Sequence, residues 1–72
     1  SALIIASKNN HIKLVEFLLS LPEIDPSLSD AFGRNALICA VDKCNIEIVK
    51  ILIKDDRIDI NSFDKKIFIL II

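Results

Sequence analysis

Apolar residues recur along this chain in two matched sets. Ala2, Leu3, Ile4 and Ala6 are followed by Ile12, Val15 and Leu18; Ala36, Leu37, Ile38 and Ala40 are followed by Ile46, Val49 and Leu52. The second set is the first displaced by 34 positions, as Ala36 against Ala2 shows. Ile58-Asp59 likewise falls on Ile24-Asp25, and Asp64 on Asp30. Within each set the spacing is helical, and the polar positions form one narrow stripe: Lys13, Glu16 and Ser20 in the first copy, Glu47, Lys50 and Lys54 in the second. So thin a stripe implies helices covered on more than one side. The pattern predicts helices at Ala2–Lys8, Ile12–Ser20, Ala36–Lys43 and Ile46–Lys54, paired as antiparallel hairpins and stacked in one orientation. Stacking is required because a single helix pair cannot bury its own apolar face.

The breaks between helices carry their own chemistry. Asn9-Asn10 interrupts the first pair, and Asn tolerates the left-handed backbone of a tight turn. Cys44-Asn45 is the corresponding break in the second. Ser1 and Asn35 stand where helix N-caps belong. Pro22 ends the second helix, Pro26 keeps the chain extended, and Asp30 to Gly33 supplies turn residues. The connection from Leu21 to Asn35 is too long for a bare loop in a compact domain. It is expected to form an extended finger closed by a tight turn, with Asp55 to Lys66 as its second copy.

These residues resemble the ankyrin repeat. Gly33-Arg34-Asn35-Ala36-Leu37-Ile38-Cys39-Ala40 is similar to that family's Gly-x-Thr-Pro-Leu-His-x-Ala opening. Asn45-Ile46-Glu47-Ile48-Val49-Lys50-Ile51-Leu52 is similar to its second helix, and Asp59-Ile60-Asn61 to its exit. The resemblance covers essentially the whole chain: a partial repeat at 1–29, a full repeat at 30–63 and a truncated one at 64–72. The period is one longer than the family's usual length of about 33. Asn35, Ala36 and Ile38 replace the family's Thr, Pro and His, so its Thr-to-His hydrogen bond is lost, although Asn35 can still cap. Cys44 occupies a position where the family prefers Gly, which implies mild backbone strain. The fold implied is mainly α, a helical solenoid of helix pairs joined by finger loops.

Composition narrows the function classes. Of the 72 residues, 53% are hydrophobic, enough for a small core. The formal net charge is −1 with basic residues dispersed, so nucleic acid is not the expected partner. Two cysteines in a helical context point to reduced thiols and an intracellular, cytoplasmic setting. Ile67 to Ile72 is much shorter than the roughly 20 residues of a membrane-spanning helix, so no membrane insertion is expected. No basic region leads into a signal-like apolar run. With no Met and an opening inside a repeat, the chain reads as a fragment or a processed piece. The apolar tail Ile67–Ile72 is expected to fold back as a cap or to mediate self-association.

No constellation of catalytic or metal-binding residues emerges, and no cofactor is expected. His11 is the only histidine; its place matches the family's Gly-His turn, which implies a structural tie between neighbouring loops. Cys39 and Cys44 have neither metal-ligand spacing nor a shared helical face. Asp25, Asp30, Asp59 and Asp64 recur with the repeat, which points to turn hydrogen bonds. Asp55-Asp56 reads as a solvated loop, and Lys13–Glu16 and Glu47–Lys50 as exposed i, i+3 pairs. The resemblance instead implies a non-enzymatic module that binds a protein partner through finger tips and inner helices. The implied contact positions are Ala31, Phe32 and Arg34 on the finger, and Asp42 and Lys43 at the end of its helix. Lys8 and Asn9 are their counterparts one repeat earlier, and Lys65 and Lys66 belong to the next finger. Phe32 and Arg34 are the favoured anchors, since aromatic and Arg side chains dominate interface hot spots. The competing expectation is a spacer or capping unit of a longer solenoid with no binding site of its own.

Overall fold

The structure is a computed structural model that describes residues 1–58. Lys65, Lys66 and the Ile67–Ile72 tail lie outside the described residues. Among those described are four helices and no strand: α1 (Ala2–Lys8), α2 (Ile12–Leu19), α3 (Ala36–Asp42) and α4 (Ile46–Ile53). Each start agrees with the expectation from the pattern. The last residue of α2, α3 and α4 falls one earlier, because Ser20, Lys43 and Lys54 serve as C-caps.

Local chemistry accounts for the ends. The Asn35 side chain accepts the Ile38 amide at 2.9 Å, and Ser1 Oγ accepts the Ile4 amide at 3.5 Å. Each side chain thereby satisfies one of the orphan donors of its first turn. Between the helices of each pair the chain passes through the left-handed region, at Asn10 (φ 58°) and Cys44 (φ 57°). Asn accepts this conformation readily, whereas Cys does so against a steric penalty. The backbone bonds of the two turns repeat in register. His11 N–H donates to Ala6 O at 3.0 Å, and Asn45 N–H to Ala40 O at 2.9 Å.

The helices form two layers. α1 packs beside α3, α2 packs beside α4, and each layer rests on the other through the α1–α2 and α3–α4 hairpins. Leu37, Ile48, Leu52, Val15 and Val49 are the largest fully buried apolar side chains along these contacts, with Pro26 from the connection beneath them. The stripe Lys13, Glu16, Ser20, Glu47, Lys50 and Lys54 is exposed throughout. Burying a Leu or Ile side chain this completely contributes about 1.5–3 kcal/mol each, so the interface between the pairs dominates stability.

The connection Leu21 to Asn35 has the defined shape its length required. Asp25 accepts the Ser27 amide at 3.0 Å and the Ser27 hydroxyl, fixing the turn around buried Pro26. The finger closes where Asp30 N–H donates to Arg34 O at 2.8 Å, with Gly33 at φ 76° inside the turn. That backbone angle is one glycine adopts without strain.

Candidate functional site

The finger tip is held by a single carboxylate. Asp30 Oδ1 accepts the amides of Phe32 at 2.8 Å and Arg34 at 2.9 Å, and Oδ2 accepts Arg34 Nε at 3.3 Å. The Arg34 amide, foremost among these donors, holds the Asp30 carboxyl below its ordinary value. The Arg34 guanidinium carbon lies 5.0 Å from the centroid of the Phe32 ring, a cation–π distance. Phe32 itself is 81% exposed. A large apolar ring is thus presented to solvent on a turn whose backbone and one flank are already fixed.

Below the finger lies a cleft of about 420 Å³, lined by Lys8, Asn9, Arg34, Cys39, Asp42 and Lys43. Lys8 and Asn9 come from the end of α1, Asp42 and Lys43 from the end of α3, and Arg34 from the finger. Stacking α1 beside α3 brings these residues together although they are far apart in sequence. Of the contact positions expected from sequence, five line this cleft. Ala31 and Phe32 are exposed on the tip above, and Lys65 and Lys66 lie outside the described residues. Cys39 is buried and Cys44 exposed, and both are free thiols. Among the described residues no group of three His, Cys, Asp or Glu side chains could hold a metal ion.

Three expectations are corrected. His11 is exposed and makes no side-chain cap bond. The tie between adjacent loops is made by its counterpart Asn45, whose amide donates to Ser7 O at 2.7 Å and Lys8 O at 3.3 Å. Asn45 reaches these carbonyls because α3 lies beside α1. Among the described residues Lys50 pairs with Glu47 at 3.8 Å, while Lys13 and Glu16 do not pair. Asp55 is no solvated loop carboxylate, because its side chain is only 13% exposed and bonds Arg57 at 2.7 Å.

Arg57 went unnoticed in the sequence. Its guanidinium donates to Leu19 O at 2.7 Å, Ile24 O at 2.9 Å and Leu21 O at 3.2 Å. It therefore ties the last carbonyl of α2, which has no helical partner, to two carbonyls of the connection that follows it. Hydrogen bonding to Arg57 lowers the Asp55 pKa, and the same contact raises that of Arg57. Its counterpart in the first copy is Glu23, so no repeated motif marked it.

A period of 34, two matched hairpins and an extended finger define a helical repeat protein. A family model described as ankyrin repeats in three copies matches residues 1–64, and the chain belongs to that family. Neither the curated proteins nor the solved structures yield a match. The ankyrin fold generally serves protein–protein interaction, and no described helix is long and apolar enough to cross a membrane.

Proposed function

We propose that the chain is a non-enzymatic protein-binding module that takes its partner in the cleft between α1, α3 and the finger. The observation that carries this reading is the convergence of Lys8, Asn9, Arg34, Asp42 and Lys43 on one cleft beneath an exposed Phe32. Phe32 is the anchor: its backbone is fixed by Asp30, so little ordering entropy is lost when a partner packs on it. Arg34 steadies the ring, and Ala31 leaves space beside it. Two free thiols, one within the core, support a reducing intracellular setting.

A second reading, a spacer unit in a longer solenoid, is favoured by a separate observation. Ile5, Leu14 and Phe17 form an exposed apolar face on the first hairpin, the side opposite the second. Partner capture with the immobilised chain separates the two readings. Phe32→Ala, alone and combined with Arg34→Ala, is expected to abolish capture with helicity unchanged by circular dichroism. Phe17→Ala is expected to leave it intact. Loss with Phe17→Ala and retention with Phe32→Ala would assign the interaction to the stacking face instead.

A further inference from the structure

The cleft has a charge character that narrows its occupant. Three cationic side chains, Lys8, Arg34 and Lys43, line it against one carboxylate, Asp42. Arg34 is already engaged by Asp30 at 3.3 Å. Lys8 and Lys43 form no ion pair among the described residues. Both stand at helix C-terminal ends, Lys8 in the last turn of α1 and Lys43 as the C-cap of α3. The helix macrodipole favours a cation at such an end. The cleft thus carries positive charge on a chain whose formal net charge is −1. The apolar Phe32 ring lies 5.0 Å from the Arg34 guanidinium carbon at the cleft's edge.

We propose that the cleft takes an acidic extended peptide segment, with carboxylates at Lys8 and Lys43 and an apolar side chain packed on Phe32. This rests on the binding-module reading above and adds the chemistry of the partner. Two features favour a peptide over a nucleic acid strand. Asp42 interrupts the basic lining, which would repel a continuous phosphate backbone but can accept a peptide N–H. One aromatic ring gives a single anchor, where strand binding uses successive stacking platforms. Complementary charge would speed encounter and set register, and Phe32 would supply the packing.

Titration of the isotopically labelled whole chain with defined probes, followed by amide NMR, tests this. The probes are a capped peptide alternating glutamate with leucine, its lysine–leucine and serine–leucine counterparts, and a single-stranded oligothymidylate. The glutamate peptide is expected to move the amides of Lys8, Asn9, Asp42 and Lys43, with weaker binding as salt rises. Lys8→Gln with Lys43→Gln should weaken it about tenfold, while Lys13→Gln with Lys54→Gln on the outer helices leaves it unchanged. Shifts spread equally over Lys13, Lys50 and Lys54 would overturn the proposal as nonspecific attraction. So would an oligothymidylate that binds the cleft as tightly. A serine or lysine peptide preferred in the cleft overturns the acidic partner yet keeps the binding module. No peptide in the cleft at all counts against both.

Discussion

The two hairpins carry the same pattern and meet different fates. Ile5 is 59% exposed, while its counterpart Cys39 is 2% exposed. Leu14 is 45% exposed, and its counterpart Ile48 is fully buried. The helices themselves scarcely differ, with matched starts, matched turns and matched backbone bonds. What differs is the neighbour: the second hairpin lies against the first, and the same face of the first lies against solvent. Ile5 and Leu14 therefore mark positions whose cover comes from a neighbouring repeat, as Cys39 and Ile48 show.

The largest effect should separate Ile48 from Leu14. Ile48→Ala leaves a cavity in the contact between hairpins and is expected to lower stability by about 2–5 kcal/mol. Leu52→Ala, at an equally buried position, belongs in the same range. Such a loss is comparable with the whole stability of a small domain, roughly 5 kcal/mol at the low end. Leu14→Ala should change the urea midpoint little. Equal losses at the two positions would mean that the first hairpin's outer face is covered in solution.

A smaller effect should separate Asn45 from His11. Asn45→Ala removes the donor for Ser7 O and Lys8 O and leaves those part-buried carbonyls short of a partner. The expected loss is about 1–3 kcal/mol, the range for a hydrogen-bonding group left unsatisfied. His11→Ala, at the exposed counterpart, should leave thermal melting unchanged. A destabilising His11→Ala would reveal a tie that the exposed imidazole does not suggest.

What the sequence disclosed follows from the same comparison. Helix positions, the Asn35 cap and the two interhelix breaks were legible because each depends on local spacing or a single side chain. The repeated apolar set was legible in both hairpins, with Leu3, Ala6, Val15 and Leu18 buried like Leu37, Ala40, Val49 and Leu52. The exposure of Ile5, Leu14 and Phe17 was not, since periodicity marks a face that wants cover and is silent on whether cover is present. The cleft residues came from the family resemblance, since spacing alone does not bring Lys8 beside Lys43. Arg57 escaped both routes. It replaces Glu23, and a search for sameness between copies passes over the residue used in only one of them.

That asymmetry yields the mildest test. In the second copy Asp55 and Arg57 form a bonded pair, and Arg57 reaches across to the carbonyls of the first. The first copy has Leu21 and Glu23 at these places and forms no such clamp. Asp55, Asp25 and Asp30 all have folded-state pKa values below the ordinary carboxylate value, Asp55 chiefly through Arg57, Asp25 through Ser27 and Asp30 through the Arg34 amide. A depressed carboxyl contributes stability that is complete above its unfolded pKa and is lost as pH falls through the folded one. Melting midpoints are therefore expected to hold near neutral pH and to drop on the acid side, beginning near the unfolded carboxylate value. Arg57→Ala should lower the neutral-pH midpoint modestly, less than Ile48→Ala, because the guanidinium is solvent-accessible. It should also flatten the acid limb, since Asp55 then titrates closer to its unfolded value. Glu23→Ala should do neither. If Arg57→Ala leaves both the midpoint and the acid limb unchanged, the clamp contributes nothing in solution, and the hairpins are joined by packing and Asn45 alone.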